Sequence, residues 1–380
     1  MFDLSRTGVV VNAVRVANAL ARRGHRVVLL VLRDTGRDAW QLEPGVAVET
    51  VREAAGGKSS RRAAMFGSIG ALRRQLRMLK PQVLVSAGNH AHQSATLASL
   101  GLPGIVRILR ISNELDHVGD GLARKLWRRI VRRFIYHYAD RLLLVSAHLA
   151  GDPLLSGAVA NGRAVIVPNG VDVAQIRRRA SVPFAHPVLT DAIPYVVSVG
   201  RLASHKNFTT LIRAFARAVA SRPMKLLIIG GGTGDQREQL EALAAAMGVA
   251  DSVQLEGEID NPMPLVAGAA AFALPSLWEG ASNALLEALA LDVPIVASRS
   301  AGNAQEVLGD GRFGLLVDPL DINGMAQALL HQTSADARRP GNRAADFSAD
   351  DAIARVCQAI VELAAPRGGS LTRSVLPEGT

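Results

Sequence analysis

The sequence predicts an α/β protein made of two doubly wound domains, and three features carry that prediction. Short apolar, β-branched runs alternate with amphipathic stretches along almost the whole chain, the pattern of parallel strands covered on both faces by crossover helices. At 380 residues the chain exceeds the roughly 250–300 residues at which one core stops growing. Charge is also divided unequally: residues 1–185 carry 28 Lys and Arg against 12 Asp and Glu, whereas residues 186–380 carry 15 against 21. The net charge of +10 thus combines a basic half, suited to an anionic partner such as a membrane surface, a phosphorylated acceptor or nucleic acid, with an acidic one.

In chain order, residues 9–23 read as an amphipathic helix ending at Gly24, and apolar runs at 27–32, 83–86, 105–111 and 141–145 read as strands. A doubly wound domain normally opens with a strand, yet only seven residues precede Gly8. The first strand is therefore missing: either the chain starts upstream of Met1, the reading we favour, or the domain tolerates the loss. A short run at 165–167 enters Pro168-Asn169-Gly170, a turn signal that closes an N-terminal domain at 1–172. Residues 173–193 form a connector. Strands at 195–199, 225–229, 252–255, 271–274 and 294–297 build a second domain over 194–348. A helix over 349–365 is placed to pack back on the first domain, and 366–380, rich in Pro, Gly, Ser and Thr, reads as a disordered tail. The single cysteine, Cys357, falls in that last helix and reads as a buried thiol compatible with a reducing compartment. With no apolar stretch of about 20 residues and no signal-peptide layout, the expectation is a cytoplasmic protein.

Chemistry concentrates in the second half. The run at 195–199 leads into Gly200-Arg201-Leu202-Ala203-Ser204-His205-Lys206-Asn207 and then a helix, so two cations five residues apart follow a strand, where open α/β folds bind anions. The run at 271–274 leads through Pro275-Ser276-Leu277-Trp278 to Glu279-Gly280-Ala281-Ser282-Asn283 and a helix carrying Leu286 and Glu287. Gly280, Ala281, Ser282 and Asn283 sit at a helix start, whose free N–H groups and positive dipole end hold phosphate or sugar oxygens. Glycine-rich 230–234 and the loop around Gly302 follow further strands and should converge on the same edge. In the first half, Gly88-Asn89-His90-Ala91-His92 follows the strand at 83–86, which puts a histidine at the cleft edge, either His90 or His92. Arg110, Asn113 and Glu114 follow the next strand as acceptor-side candidates. Two histidines without a third ligand give no reason to expect a metal.

Gly200-Arg201 with Lys206, Glu279-Gly280 and Glu287 together resemble the donor-site signature of the retaining family 4 glycosyltransferases, and Pro168-Asn169-Gly170-Val171-Asp172 is similar to that family's interdomain hinge. The resemblance runs from about Gly8 to Leu363. It implies the GT-B architecture, two Rossmann-like domains facing across a cleft, and a nucleotide-sugar donor, UDP- or GDP-linked. It further implies that Arg201 and Lys206 hold the donor diphosphate, Glu279 the sugar hydroxyls and Glu287 the ribose, with His90 near the donor sugar, Gly8 and Gly200 at the donor and no obligatory metal. The family usually carries a Gly-Gly pair after its first strand; this chain has only Gly8.

Residues 122–138 interleave Arg124, Lys125, Arg128, Arg129, Arg132 and Arg133 with Leu126, Trp127, Ile130, Val131, Phe134 and Ile135. Cations and apolar residues segregate at helical spacing, so this segment reads either as an amphipathic helix on an anionic membrane or as a core helix with a solvated basic face; 61–80 has similar character. Membrane docking suits a lipid-linked or cell-envelope polysaccharide precursor as acceptor and a peripheral position on the inner face of the cytoplasmic membrane. Nucleic acid fits poorly, for lack of a recognised motif and of aromatics to stack on bases. The expected function is a retaining hexosyl or N-acetylhexosaminyl transfer; a catalytically inactive sugar- or membrane-binding protein, or an epimerase or phosphorylase on the same scaffold, are the alternatives.

Overall fold

The computed structural model describes residues 1–4, 7–33, 35–36, 40–51, 61–113, 121–232 and 234–364. The candidate Glu114 and the expected tail at 366–380 lie outside them. All described strand pairs are parallel. In the first half, β1 (Val27–Val31) pairs with β2 (Val46–Thr50), while β3 (Val83–Ser86), β4 (Val106–Ile111), β5 (Arg141–Leu144) and β6 (Ala164–Ile166) form a separate sheet in that order. Among the described residues no strand precedes the helix Gly8–Arg22, which Thr7 caps. Met1–Leu4 instead run beside the end of β1, with the Leu32 N–H donating to the Met1 and Phe2 carbonyls at 3.1 Å. Leu4 is fully buried, and the Trp40 indole donates to its carbonyl at 2.7 Å.

The second half holds one six-stranded sheet made of β7 (Tyr195–Val199), β8 (Lys225–Ile229), β9 (Val253–Gly257), β10 (Ala271–Leu274), β11 (Ile295–Ser298) and β12 (Leu315–Val317), in the order β12-β11-β10-β7-β8-β9. The chain winds outward from β7 in one direction and from β10 in the other, so the switch point lies between two neighbouring central strands, the place where doubly wound sheets open a crevice for ligands. One face packs on the helices Phe208–Val219, Gly234–Ala246 and Ile322–Gln332 through Leu211, Phe215 and Leu329. The other packs on Asn283–Ala290 and Met263–Ala267 through Leu285, Leu289 and Leu265.

Two short strands, β2 and β12, were not anticipated: β2 buries only Val46, and β12 is an apolar run of just three residues, Leu315–Val317. Residues of the connector form the helices Val173–Ala180, capped by Asp172, and Pro187–Thr190, and their Ile176 and Val188 enter the core of the second sheet. The final helix, Ala349–Ala364, returns to the first half, burying Val356, Cys357 and Ile360 against Leu20, Ile108 and Leu143. The Cys357 thiol is buried and free, and burial raises its pKa. The two crossings between the halves pair with each other: the Val171 N–H donates to Phe347 O at 2.8 Å and the Ala349 N–H to Val171 O at 3.2 Å. Only glycine fits at Gly170, where a Cβ would lie 2.4 Å from Ser348 O.

The basic segments differ from the reading of solvated charge over an apolar core. In the helix Leu122–Tyr138 the inward arc is Ile135, Tyr136 and Arg132, the last ion-paired with Asp152. Leu126, Trp127, Ile130 and Phe134 face solvent, Trp127 with 66% of its surface exposed. Segment 61–80 is two helices, Arg61–Gly67 and Ile69–Leu79, broken at Ser68. Its Arg73 turns inward to the carbonyls of Ala98 and Leu100, and Met78 is the one large apolar side chain exposed on Ile69–Leu79. Among the described residues no helix is long and apolar enough to cross a membrane.

Candidate active site

The loops after β7 and β10 meet at the switch point because each strand ends where the sheet's interior ends. Gly230, which follows β8, lets that strand's loop pass against the end of β7: its φ is +152°, and a Cβ there would lie 2.0 Å from Gly200 O. Lys206 folds back over Gly200, with its Cε 3.1 Å from where a Gly200 Cβ would stand, and its Nζ donates to Glu279 Oε1 at 2.7 Å. Ser276 Oγ donates to the same oxygen at 2.6 Å. Leu277 N–H donates to His205 O at 2.8 Å, and the His205 and Trp278 rings lie 5.6 Å apart, so the two loops are joined along their length. Asn207, left-handed at φ 56°, fastens them to a third loop by donating to Pro275 O at 3.1 Å and Pro319 O at 2.7 Å.

Behind this pair, Ser282 caps the helix Asn283–Ala290, and its own N–H donates to Asn303 Oδ1 at 3.1 Å. Gly302, with φ +57°, lies against the Glu279 and Gly280 carbonyls. The helix start, Gly280 to Ala284, lines the cleft beside Lys206 and Glu279, as does the exposed Arg201, and the cleft's volume is about 1930 Å³. Further along, Glu287 is half-buried; burial raises its carboxyl pKa, with Arg179 and Arg15 opposing. Leu286 is a core residue with an edge on the cleft.

The first half closes the opposite wall. Gly280 fits only as glycine, since a Cβ would come within 2.3 Å of Ser112 O and 2.6 Å of Asn113 Cα. That Ser112–Asn113 loop is braced by Asn89, which accepts from the Ser112 N–H at 3.1 Å and donates to Asn113 O at 2.9 Å. Gly8 abuts the Asn283 amide, where a Cβ would lie 2.4 Å from Nδ2. Arg110 is buried at the cleft floor rather than offered to an acceptor: its Nη2 donates to Asn169 Oδ1 at 2.6 Å, and Asn169 Nδ2 donates on to Asn283 Oδ1 at 2.8 Å. Burial lowers the Arg110 pKa to about 10. The two histidines separate: His92 is buried, shares a 2.8 Å hydrogen bond with Ser86 Oγ and is held neutral by burial, its pKa lowered to about 3, whereas His90 is exposed on the cleft. Among the described residues no three His, Cys, Asp or Glu side chains converge. Asn207, Ser276 and Asn303 received no role from the sequence, and Asn169 only its place in the Pro168-Asn169-Gly170 turn and hinge segment; Asn207 and Ser276 stand in turns ahead of helices, where Asn and Ser satisfy backbone groups.

Comparison with known proteins bears on family and fold. Residues 6–175 match the family model described as glycosyltransferase family 4, and 193–334 the one described as glycosyl transferases group 1. The N-acetylgalactosamine-N,N'-diacetylbacillosaminyl-diphospho-undecaprenol 4-alpha-N-acetylgalactosaminyltransferase of Campylobacter jejuni is 34% identical over 51% of this chain and 51% of its own length. The lipopolysaccharide core biosynthesis glycosyltransferase LpsE of Rhizobium meliloti is 37% identical over 36% of this chain and 38% of its own. The chain thus matches about half the length, or less, of these two relatives. HepE of Anabaena, solved with UDP and glucose, superposes with a TM-score of 0.73 at 15% identity over 95% of this chain and 98% of that one, a likeness of fold. With its two halves matching the two domain models in order and its sheets facing across one cleft, the chain belongs to the family 4, group 1 glycosyltransferases of GT-B architecture.

Proposed function

We propose that the chain transfers a hexose or N-acetylhexosamine, with retention, from a UDP- or GDP-sugar to a lipid-linked saccharide acceptor of the cell envelope, docked on an anionic membrane surface. The observation that carries the reading is the Lys206–Glu279–Ser276 cluster at the sheet's switch point, beside the amides of the helix Asn283–Ala290 and open to Arg201. Breaking the bond from the sugar to its diphosphate leaves the electron pair and a growing negative charge on the diphosphate. Fixed cations and a helix N-terminus stabilise that charge without reorganising, so an obligatory metal is not required. Lys206 and Arg201 hold the diphosphate. Glu279 orients the sugar hydroxyls, Glu287 the ribose, and His90 faces the sugar from the opposite wall. Both carboxylates act as binders, since a diphosphate leaving group needs no strong acid.

The relatives from Campylobacter jejuni and Rhizobium meliloti act, by their names, on a diphospho-undecaprenol-linked sugar and in lipopolysaccharide core synthesis, which favours a lipid-linked acceptor here. The exposed apolar stripe of the helix Leu122–Tyr138, flanked by cations, supplies the membrane contact. A panel of UDP- and GDP-sugars scored for nucleotide release tests the donor assignment; if none is turned over and neither UDP nor GDP binds by calorimetry, the reading falls. Sedimentation with vesicles tests the docking, which is wrong if binding is indifferent to anionic lipid and to salt.

A further inference from the structure

Arg110 is a cation buried at the cleft floor without an anion beside it. Its residue surface is 7% exposed, its Nε has no partner among the described residues, and its guanidinium makes one hydrogen bond there, from Nη2 to Asn169 Oδ1 at 2.6 Å. A guanidinium can only donate, so the end of the Asn169 amide that faces it must be the oxygen. The Asn169 nitrogen is thereby turned the other way, and it donates to Asn283 Oδ1 at 2.8 Å. The same logic sets the next amide. With its oxygen taken, Asn283 holds Nδ2 toward Gly8, where a Cβ would lie 2.4 Å from it, and both residues line the cleft. Among the described residues that Nδ2 donates to no group, and the Gly8 carbonyl already accepts from Asn12 Nδ2 at 3.0 Å.

The three side chains thus form a one-way chain of donors that starts at a positive charge and ends at a free N–H in the cleft. Hydrogen bonds in series polarise one another in a low-dielectric interior, so this last N–H is a stronger donor than an isolated amide and suits an anionic oxygen. Asn283 is also the first residue of the helix Asn283–Ala290, so the relay ends at the positive end of that helix. Resting on the transferase reading above, we propose that Arg110 is a positioning residue for the donor: through Asn169 it holds the Asn283 side chain with Nδ2 toward an oxygen of the donor's diphosphate. The relay runs from β4 through the hinge segment to the second domain, so it is complete only while the two halves are together. Parting them frees the Asn283 amide to turn and removes the donor from the site.

Asn169→Asp separates a relay from a mere brace. The new carboxylate accepts from Arg110 as an ion pair, so the denaturant midpoint should not fall, but it cannot donate; Asn283 must turn its nitrogen to it and present an oxygen to the ligand. Asn169→Leu breaks both links without adding charge, and Asn283→Leu removes the last donor while leaving Arg110 its partner. The full chain and these variants are titrated by calorimetry with UDP, GDP and inorganic pyrophosphate. Each variant is expected to lose roughly tenfold in affinity, and Asn169→Asp combined with Asn283→Leu to lose no more than Asn283→Leu alone, as befits members of one chain. Unchanged affinity in Asn169→Asp or in Asn283→Leu overturns the relay, and the second of these decides alone should Asn169→Leu not fold. A loss in Asn169→Asp that a folded Asn169→Leu does not share also overturns it, because the added negative charge then explains the effect. Pyrophosphate keeps the two readings apart. A parent chain that binds it with the same variant dependence, but binds neither nucleotide, keeps the relay and sinks the nucleotide-sugar donor; nucleotide binding indifferent to all the variants keeps the donor and sinks the relay. A parent chain that binds none of the three ligands ends both.

Discussion

Lys206→Ala perturbs the candidate site at its most connected point. In the folded chain Lys206 Nζ lies 2.7 Å from Glu279 Oε1, with side-chain exposures of 14% and 11%. Removing one partner of a fully buried pair costs about 3–5 kcal/mol because the other charge is stranded. Here Ser276 still donates to Glu279 and the pair borders a wide cleft, so the expected loss of stability is nearer about 1–2 kcal/mol. The functional loss should be larger. A charge-assisted hydrogen bond to the departing diphosphate is worth about 1.5–3 kcal/mol, and at about 1.4 kcal/mol per decade this predicts a fall of roughly 10- to 150-fold in kcat/KM. Because the negative charge grows in the transition state, most of the fall belongs in kcat rather than in nucleotide affinity. Nucleotide release at saturating donor gives kcat, calorimetry gives affinity, and Trp278 fluorescence against denaturant gives the stability of the same loop. Lys206→Arg should recover part of the rate, and Glu279→Gln combined with Lys206→Ala should lose less than the sum of the singles, since the two share one contact. An unchanged kcat/KM in Lys206→Ala beside the predicted loss of stability would refute the diphosphate role and leave the pair a structural one.

The remaining expectations follow from the same geometry. Burial raises the Glu287 pKa, so the folded chain binds a proton more readily than the unfolded chain and stability falls as pH rises from the ordinary carboxylate range through the raised value; Glu287→Gln should flatten that slope in denaturant midpoints and weaken nucleotide binding by about 1–3 kcal/mol. His92 carries the opposite sign: its pKa drops from 6.5 to about 3, so stability is lost as pH falls between those values, and His92→Gln should remove part of the loss, whereas His90→Ala should lower donor turnover. Gly280→Ala, whose Cβ would stand 2.3 Å from Ser112 O, should part the donor loop from the first half, seen as a larger radius of gyration by X-ray scattering and a raised donor KM; unchanged scattering and kinetics would mean that the two halves do not need this contact.

Which parts of the fold were legible follows from burial. β7, β8 and β10 span the predicted apolar runs because both faces of each are covered, and a strand buried on both sides must be apolar throughout. β2 runs Val-Ala-Val-Glu-Thr with only Val46 buried, and Glu49 and Thr50 cut its apolar run to three residues. The helix Val173–Ala180 was missed behind three consecutive arginines, although its Asp172 cap stood in plain sequence. The candidate donor loops were legible for a related reason: each is a strand, a turn and a helix start in consecutive residues, so the chemistry sits within one local unit.

What the sequence could not show is whatever needs distant segments to meet. Arg110 looked like an acceptor contact because it follows a strand; its partner Asn169 is 59 residues away and the next link, Asn283, a further 114. The helix Leu122–Tyr138 makes the same point. Its periodicity establishes that cations and apolar residues lie on different arcs, but an arc has no inside or outside until a partner arrives. Asp152 selects Arg132, one of six cations of similar local setting, for the interior. With Arg132 inside, Leu126, Trp127 and Ile130 stand outside. Were the exposed stripe only a consequence of accommodating this ion pair, Asp152→Asn with Arg132→Gln would let the helix rotate and bury Trp127, seen as reduced quenching of its fluorescence by iodide in a Trp40→Phe/Trp278→Phe background. If the stripe is instead held outward by the packing of Val131 and Ile135 beside Ala281, Trp127 stays accessible in that variant and vesicle binding persists; the several apolar contacts on that arc against one ion pair favour this second outcome.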